Sequence, residues 1–285
     1  MKKRSIFFFI PALLIYTGLL IIPILGAFYL STTNWNGISA TYSFVGLKNY
    51  ISMLSDARLG NAIMVTFKIT GIVCITVNVL GLFLAICLNK SGKMIAAVRS
   101  IFFMPYVLST VAISFIWLSI LSYTGVLNGV LEAVGLGSLT ADYIGNTKNA
   151  ILSICVVEIW RTLGFYIVIY LASIQTVPVE LYESCKIDGG NSWQQFRYVT
   201  IPMIIPGITI AAIMSIMTEM RQYDIVRVLT NGGPGYSTET ITYNIVTQAF
   251  GNNMTGYSSA VAVFLFVIIA AVAIIQLKIA NRLEA

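Results

Sequence analysis

Four charged side chains stand inside apolar sequence: Lys68, Glu158, Arg161 and Glu219. A charge at the centre of a bilayer costs about 2.5–3.5 kcal/mol on insertion scales, so such residues face a bundle interior or an aqueous cavity and have partners. Glu158 and Arg161 are three apart, close enough to pair on one helix. Glu219 belongs to the next apolar stretch, just inside an outer loop. Lys68 lies near enough to an outer end to snorkel and is read as structural. The other three allow two readings: an ion pair that fixes helix packing, or the polar lining of a solute path. Carboxylates accept from hydroxyl groups, and an arginine clamps a carboxylate or phosphate with two parallel hydrogen bonds. That is the chemistry of binding. The means of catalysis are missing. The 285 residues include no histidine, which removes the commonest general base and transition-metal ligand. Cys74, Cys87, Cys155 and Cys185 show no paired spacing and read as small buried apolar residues. No G-x-x-x-x-G-K-[ST] run occurs, so the chain carries no P-loop for ATP. No residue is assigned a catalytic or metal-binding role, and no cofactor is expected in this chain.

The elements that hold these charges are membrane spans. Hydrophobic residues make up 58% of the chain and charged ones 10%, against about a quarter in a soluble domain, so lipid must be the solvent for much of it. Crossing a hydrocarbon core about 30 Å thick takes roughly 20 helical residues. Six stretches suffice: Ile6–Leu30, Ala62–Leu88, Val98–Leu121, Ala150–Ile174, Ile201–Met220 and Tyr257–Ile279. They must be helices, because a backbone in lipid has to satisfy its own N–H and C=O groups. The first follows Lys2-Lys3-Arg4 in the manner of a signal peptide. Its apolar run is too long for one and no small-residue cleavage site closes it, so it is kept as a span.

Orientation follows from the basic residues. With a cytoplasmic N-terminus the inner segments hold Lys2, Lys3, Arg4, Lys90, Lys93, Arg99, Lys186, Arg197, Lys278 and Arg282. The outer ones hold Lys48, Arg58, Lys148, Arg221 and Arg227. Ten against five puts both termini inside, and it makes the net charge of +6 a topology signal with no call for nucleic acid. The expected architecture is an all-α integral membrane protein with six transmembrane helices. The organisation expected is a first span with its outer loop at 1–61, a core carrying the other five spans at 62–280, and a short cytoplasmic tail at 281–285.

One cytoplasmic segment, at 177–200, interrupts the apolar pattern. Pro178 suits a helix start, Val179 to Ile187 reads as a short helix, and Asp188-Gly189-Gly190 is a turn signal. Asn191 and Gln194 have the spacing of an N-cap and its N3 partner, opening a second short helix with Trp193, Phe196 and Val199 as its apolar stripe. An elbow of two amphipathic helices results. It either lies on the bilayer or meets a partner.

Glu183-Ser184-Cys185, Asp188-Gly189-Gly190, Phe196 and Ile201-Pro202 resemble the "EAA…DGA…F…I-LP" signature of ABC importer permeases. Ser184, Cys185 and Gly190 depart from it, small residue for small residue. A second stretch, "LTNGGPGYSTET" (Leu229–Thr240) with "NIVTQAF" (Asn244–Phe250) and "GYSSA" (Gly256–Ala260), resembles the sugar-importer permeases of the maltose and glycerol-3-phosphate type, as does "FVGLKNYISML" (Phe44–Leu54). By itself Gly232-Gly233-Pro234 is a turn cluster.

The resemblance implies a type I ABC importer permease fold in the cell membrane. It makes the elbow a coupling helix docked on one of two copies of an ABC ATPase, which would carry the ATP and magnesium. It implies a second homologous permease and an extracytoplasmic solute-binding protein that meets the outer loop at Gly232, Gly233 and Pro234. Motif alignment puts Ser215, Thr218 and Glu219 on one span of the solute path, with Glu158, Arg161, Thr162 and Phe165 on the other. The chain would then import a sugar, oligosaccharide or related polyol by alternating access. The rival reading is an ion-gradient-driven secondary transporter with Glu158, Arg161 and Glu219 as its relay. It leaves the elbow unexplained, and no broken-helix repeat is evident. An exporter permease ranks lower, because the elbow signature belongs to importers.

Overall fold

The computed structural model describes residues 2–284. The side chains of residues 2–8, 281, 283 and 284 fall outside the described set, and with them the basic cluster Lys2-Lys3-Arg4 and most of the tail expected at 281–285. Among the described residues the chain is helical, with one isolated bridge between Thr33 and Phe44. It opens with α1 (Lys2–Tyr16), runs through a π-helical turn at Thr17–Ile21 and continues as α2 (Ile22–Leu30). The wide turn directly precedes Pro23, whose ring a regular α-helix would drive against the carbonyl four residues back. Then come α3 (Lys48–Leu54), α4 (Ala57–Leu88), α5 (Lys93–Val107), α6 (Thr110–Leu121) and α7 (Val126–Ala133). A short 3₁₀ turn leads to α8 (Thr147–Gln175), α9 (Val179–Ile187) and α10 (Ser192–Gln195). A second π-helical turn at Phe196–Thr200, again just ahead of a proline, Pro202, leads into α11 (Ile201–Met203). The rest is α12 (Ile205–Glu219), α13 (Asp224–Leu229), α14 (Ile241–Val246), a third π turn at Thr247–Gly251, and α15 (Thr255–Glu284).

Five helical stretches are long and apolar enough to cross a membrane: Phe9–Leu30, Ala57–Leu88, Thr110–Ala133, Thr147–Gln175 and Thr255–Ala280. A sixth is made by Ser192–Met203 and Ile205–Leu229, which meet at a bend of 68°. Two expected spans change shape. Val98–Leu121 is not one helix: α5 stops at Val107, Leu108 and Ser109 are extended, and the chain restarts as α6. Pro105 lies in the last turn of α5, where it withholds an N–H from the ladder and crowds the preceding turn. Ile201–Met220 breaks at Ile204, between Pro202 and Pro206, so its straight part begins at α12.

The chain divides into two compact units. One joins residues 1–60 with Ile241–Ile268, and the other joins Asn61–Thr240 with residues 269–285. In the first, Asn49 Nδ2 donates to the carbonyls of Ser31 and Thr33, each at 2.8 Å, and Gly256 N donates to Trp35 O at 2.8 Å. These bonds tie the segment after α2 to the start of α15. In the second, α8 is the hub, with α5 and α12 packed on it and α13 on α6. Its buried apolar side chains include Ile154, Val157, Tyr166 and Ile167 of α8 and Ile69, Val73 and Val77 of α4. Closeness decides the α5–α8 contact: a Cβ on Gly164 would run into the carbonyl of Phe102. Membrane helices use small residues in this way to bring backbones together.

Candidate functional site

The elbow, the charge cluster with its path residues, and the Gly232-Gly233-Pro234 loop all fall in the second unit, in three places. The first is the elbow. Pro178 has φ −58° and ψ 134°, outside the helical region, and α9 starts after it. The helix ends at Asp188, and Gly189 takes φ +81°, which an L side chain adopts only with strain. Gly190 N donates to Cys185 O at 2.8 Å and Gly189 N to Lys186 O at 3.0 Å. This 6→1 and 5→2 pair is a Schellman stop, which satisfies carbonyls that the helix end would leave bare. Gly190 has its own constraint, since a Cβ there would strike the carbonyl and sulfur of Cys185. The second arm then starts on the expected box: Gln194 N donates to Asn191 Oδ1 at 2.9 Å, and Asn191 N to Gln194 Oε1 at 2.7 Å.

The two arms are braced to each other. Tyr182 and Thr200 share a hydroxyl hydrogen bond at 3.0 Å, and α9 packs on the π turn. The outer surface stays bare. Glu183, Ser184, Asp188 and Pro202 are exposed, and so are Val179, Ile187, Trp193 and Tyr198. Phe196 is half-buried, its ring 5.5 Å from that of Trp193. The result is a small rigid corner with apolar side chains facing outward.

The second place is the charge cluster. Glu158 is fully buried and Arg161 nearly so. The guanidinium grips the carboxylate with both Nε, at 3.0 Å, and Nη2. Thr162 Oγ1 donates to the Glu158 carbonyl at 2.8 Å. Glu219 is the last residue of α12 and is also buried, with no hydrogen-bond partner on either carboxylate oxygen. Its electrostatic neighbours are Glu158, which repels it, and Arg161, which attracts it. A helix C-terminus adds a negative dipole end, so this carboxylate depends on Arg161 for compensation. Two carboxylates thus face one guanidinium where α8 and α12 pack. Phe165, half-buried, stacks on Tyr106 at 4.5 Å between centroids, and Arg161 lies 6.0 Å from the Tyr106 ring.

Ser215 is buried on the same face as Glu219, whereas Thr218, one position off that face, is exposed. Five of the expected path residues, Glu158, Arg161, Thr162, Ser215 and Glu219, are therefore enclosed by the chain's own helices. Asn78, not singled out in the sequence, joins the helices: it accepts from Tyr170 Oη at 2.7 Å and donates to Ser215 Oγ at 3.0 Å, linking α8, α4 and α12. The signal was a lone amide inside an apolar span, a common means of joining membrane helices. Lys68 is exposed, in keeping with a snorkelling side chain.

The third place is the loop between α13 and α14. Thr238 Oγ1 donates to Gly233 O at 2.8 Å and shares a hydrogen bond with Thr230 at 2.7 Å, while Gly233 N donates to Thr230 O at 2.9 Å. Asn61 Nδ2 of α4 holds Tyr236 O at 2.7 Å. Gly232 is buried, and Gly233 and Pro234 are half-buried. The glycines are structural here: the loop is a knotted turn whose exposed tip is Gly235-Tyr236.

A family model described as "Binding-protein-dependent transport system inner membrane component" matches residues 77–285. The probable starch degradation products transport system permease protein AmyD of Thermoanaerobacterium thermosulfurigenes is 33% identical over 277 residues, covering 97% of this chain and 94% of the relative. The multiple sugar-binding transport system permease protein MsmF of Streptococcus mutans is 33% identical over 259 residues, with 91% and 88% covered. Among solved structures, a chain of a bacterial ABC transporter involved in the import of the acidic polysaccharide alginate superposes with a TM-score of 0.85 at 20% identity, over 100% of this chain and 98% of that one. At that identity the likeness bears on the fold alone.

Proposed function

The chain belongs to the family of binding-protein-dependent transport system inner membrane components, and we propose that it is the membrane subunit of an ATP-driven importer for a sugar, oligosaccharide or related polyol. The elbow carries this reading. It is a braced corner whose apolar and acidic outer face has no cover among the described residues, which is what a docking element for a partner presents. The partner is an ABC ATPase, present in two copies and supplying ATP hydrolysis and magnesium. A second, homologous permease forms the other half of the path, and an extracytoplasmic binding protein delivers solute to the loop tip at Gly235-Tyr236. Both termini are cytoplasmic, as the distribution of lysine and arginine favours.

Transport proceeds by alternating access. The elbow is continuous with α8 through Pro178 and with α12 through the bend at Ile204, so its displacement moves the two helices that carry the charge cluster. Asn78 ties α8 to α12 through Tyr170 and Ser215, and the exposed Thr218 and half-buried Phe165 are the residues of the set left to meet solute. Co-purification from the native membrane tests this assignment. An ATPase and a second permease should be recovered together, and Glu183→Lys should abolish uptake while the protein stays inserted. Full uptake by that variant, or a functional single chain, overturns the proposal. One observation favours a second reading, an ion-gradient-driven carrier: the unbonded oxygens of Glu219. Uptake that persists without ATP and collapses with the ion gradient would establish it.

A further inference from the structure

The first unit contains a cavity of about 550 Å³ between the segment after α2 and the turn before α15. Nothing in the transport reading uses it. With six spans, chain parity puts these segments on the opposite side of the membrane from the elbow, which connects the fourth span to the fifth. The volume is within the range of small-molecule sites, about 300–1,000 Å³. Most of its polar groups have one valence fixed by the protein and the other left over. Asn34 Oδ1 accepts from Ser43 N at 2.7 Å, which frees its Nδ2. Asn49 uses its Nδ2 on two carbonyls, which frees its Oδ1. Gln248 lines the cavity at 7% exposure and its Oε1 accepts from Asn252 at 2.8 Å, which leaves its Nε2 over. Asn253 adds a fourth amide, held at φ +53°.

An aromatic wall completes the site. Trp35 is half-buried, its Nε1 donates to Ser39 O at 2.9 Å, and its ring lies 5.8 Å from that of Tyr42. Charge is balanced and partly fixed. Lys48 and Asp56 both line the cavity, and the Asp56 carboxylate accepts from Arg58 N at 2.9 Å, Leu59 N at 3.1 Å and the Tyr257 hydroxyl. An anion would find one ammonium and a carboxylate beside it; an apolar ligand would strand four amides at about 1–3 kcal/mol each. Alternating amide donors and acceptors fit the hydroxyls of a sugar ring, and the indole fits its C–H face.

We propose that this cavity binds a neutral saccharide unit on the face of the membrane opposite the elbow. The choice of ligand class rests on the sugar reading above; the cavity and its free valences do not.

The full chain in lipid nanodiscs, probed by saturation-transfer NMR with maltotriose, cellotriose and raffinose, tests it. At least one trisaccharide should bind. Trp35→Ala and Asn253→Gly, the latter keeping the left-handed backbone unstrained, should each weaken binding at least fivefold, whereas Glu219→Gln should leave it unchanged. Binding of none of the three, equal binding by both cavity variants, or binding of trigalacturonate alone overturns the proposal. Shielding of Lys48 from acylation by a sugar-free binding protein, with no shielding by sugar, would assign the cavity to that protein and also overturn it. Uptake by the assembled importer is scored separately. Import of a neutral trisaccharide without binding here refutes the cavity alone, and binding here without import of any sugar refutes the transport reading alone.

Discussion

Removing the Arg161 guanidinium should be among the most damaging single changes in the bundle, and removing the Glu219 charge should be nearly harmless. Arg161 is two-pronged on Glu158, which is fully buried, and among the described residues it is the cation that offsets Glu219, which is 1% exposed. Arg161→Met would leave two buried carboxylates without compensation. Breaking a buried pair by deleting one partner costs about 3–5 kcal/mol. At about 1.4 kcal/mol per tenfold that lowers the folded-to-unfolded ratio at least a hundredfold. Glu219→Gln works in the other direction. It removes a carboxylate that Glu158 repels, forfeits an attraction to Arg161, and supplies an amide that can donate to Glu158. These terms oppose one another, so stability should stay within about 0.5 kcal/mol of the parent or rise by roughly 1 kcal/mol, the net worth of one hydrogen bond. The assay is unfolding of the purified chain in mixed micelles on titration with SDS, followed by tryptophan fluorescence. Arg161→Lys should fall between, since a lysine keeps the charge and loses the fork. An Arg161→Met protein as stable as the parent, or a Glu219→Gln protein as damaged as Arg161→Met, would refute the account of the cluster.

At the Schellman stop of the elbow, Gly189→Ala places a Cβ at φ +81° and should cost about 1–2 kcal/mol, with Gly189→Asn milder; faster proteolysis between α9 and α10 reads out the loosening. Gly164→Leu should force α5 off α8, because even a Cβ meets the Phe102 carbonyl, and should lower the unfolding midpoint by the equivalent of about 1–3 kcal/mol or more. Asn78→Leu should destabilise by about 1–3 kcal/mol by stranding the Tyr170 hydroxyl, and adding Tyr170→Phe should restore part of the loss in the same SDS titration.

The elbow was legible because its signals are local. A proline, a glycine and an Asn–Gln pair three apart act within a few residues, and the Schellman stop and capping box form where they predict. The spans were legible as apolar length but not as straight helices. Hydropathy does not register that Pro105 ends α5 at Val107, nor that two prolines four apart bend the chain at Ile204. The cluster was half legible. Glu158 and Arg161 are on one helix and their spacing gives the pair, whereas the burial of Ser215 and Glu219 and the exposure of Thr218 depend on which face of α12 meets α8. Asn78 and Tyr170 are 92 residues apart, and nothing in either neighbourhood marks the other.

The elbow and the cluster act on the same two helices, and that constrains how one can work the other. On the proposed transport reading, a push on the elbow would enter the membrane along α8 and, past the bend at Ile204, along α12. Sliding these helices past each other would pull Arg161 from Glu219 and shear the Asn78 bridge between Tyr170 and Ser215. Both losses strand buried polar groups: the first moves Glu219 away from the guanidinium that offsets it, and the second leaves the Tyr170 hydroxyl unpaired at about 1–3 kcal/mol. Moving them together disturbs neither. The joint is then the bend itself: Ile204 is 1% exposed and has φ −97° and ψ 8°, between a helix that ends at Met203 and one that starts at Ile205. Thr200 donates to Gln195 O at 3.4 Å and shares a bond with Tyr182, so the corner on the near side of the bend is stiff as well. If the proposed transport reading holds, a solute path beside α12 would open by rotation at that joint, with Glu158, Arg161 and Glu219 kept together.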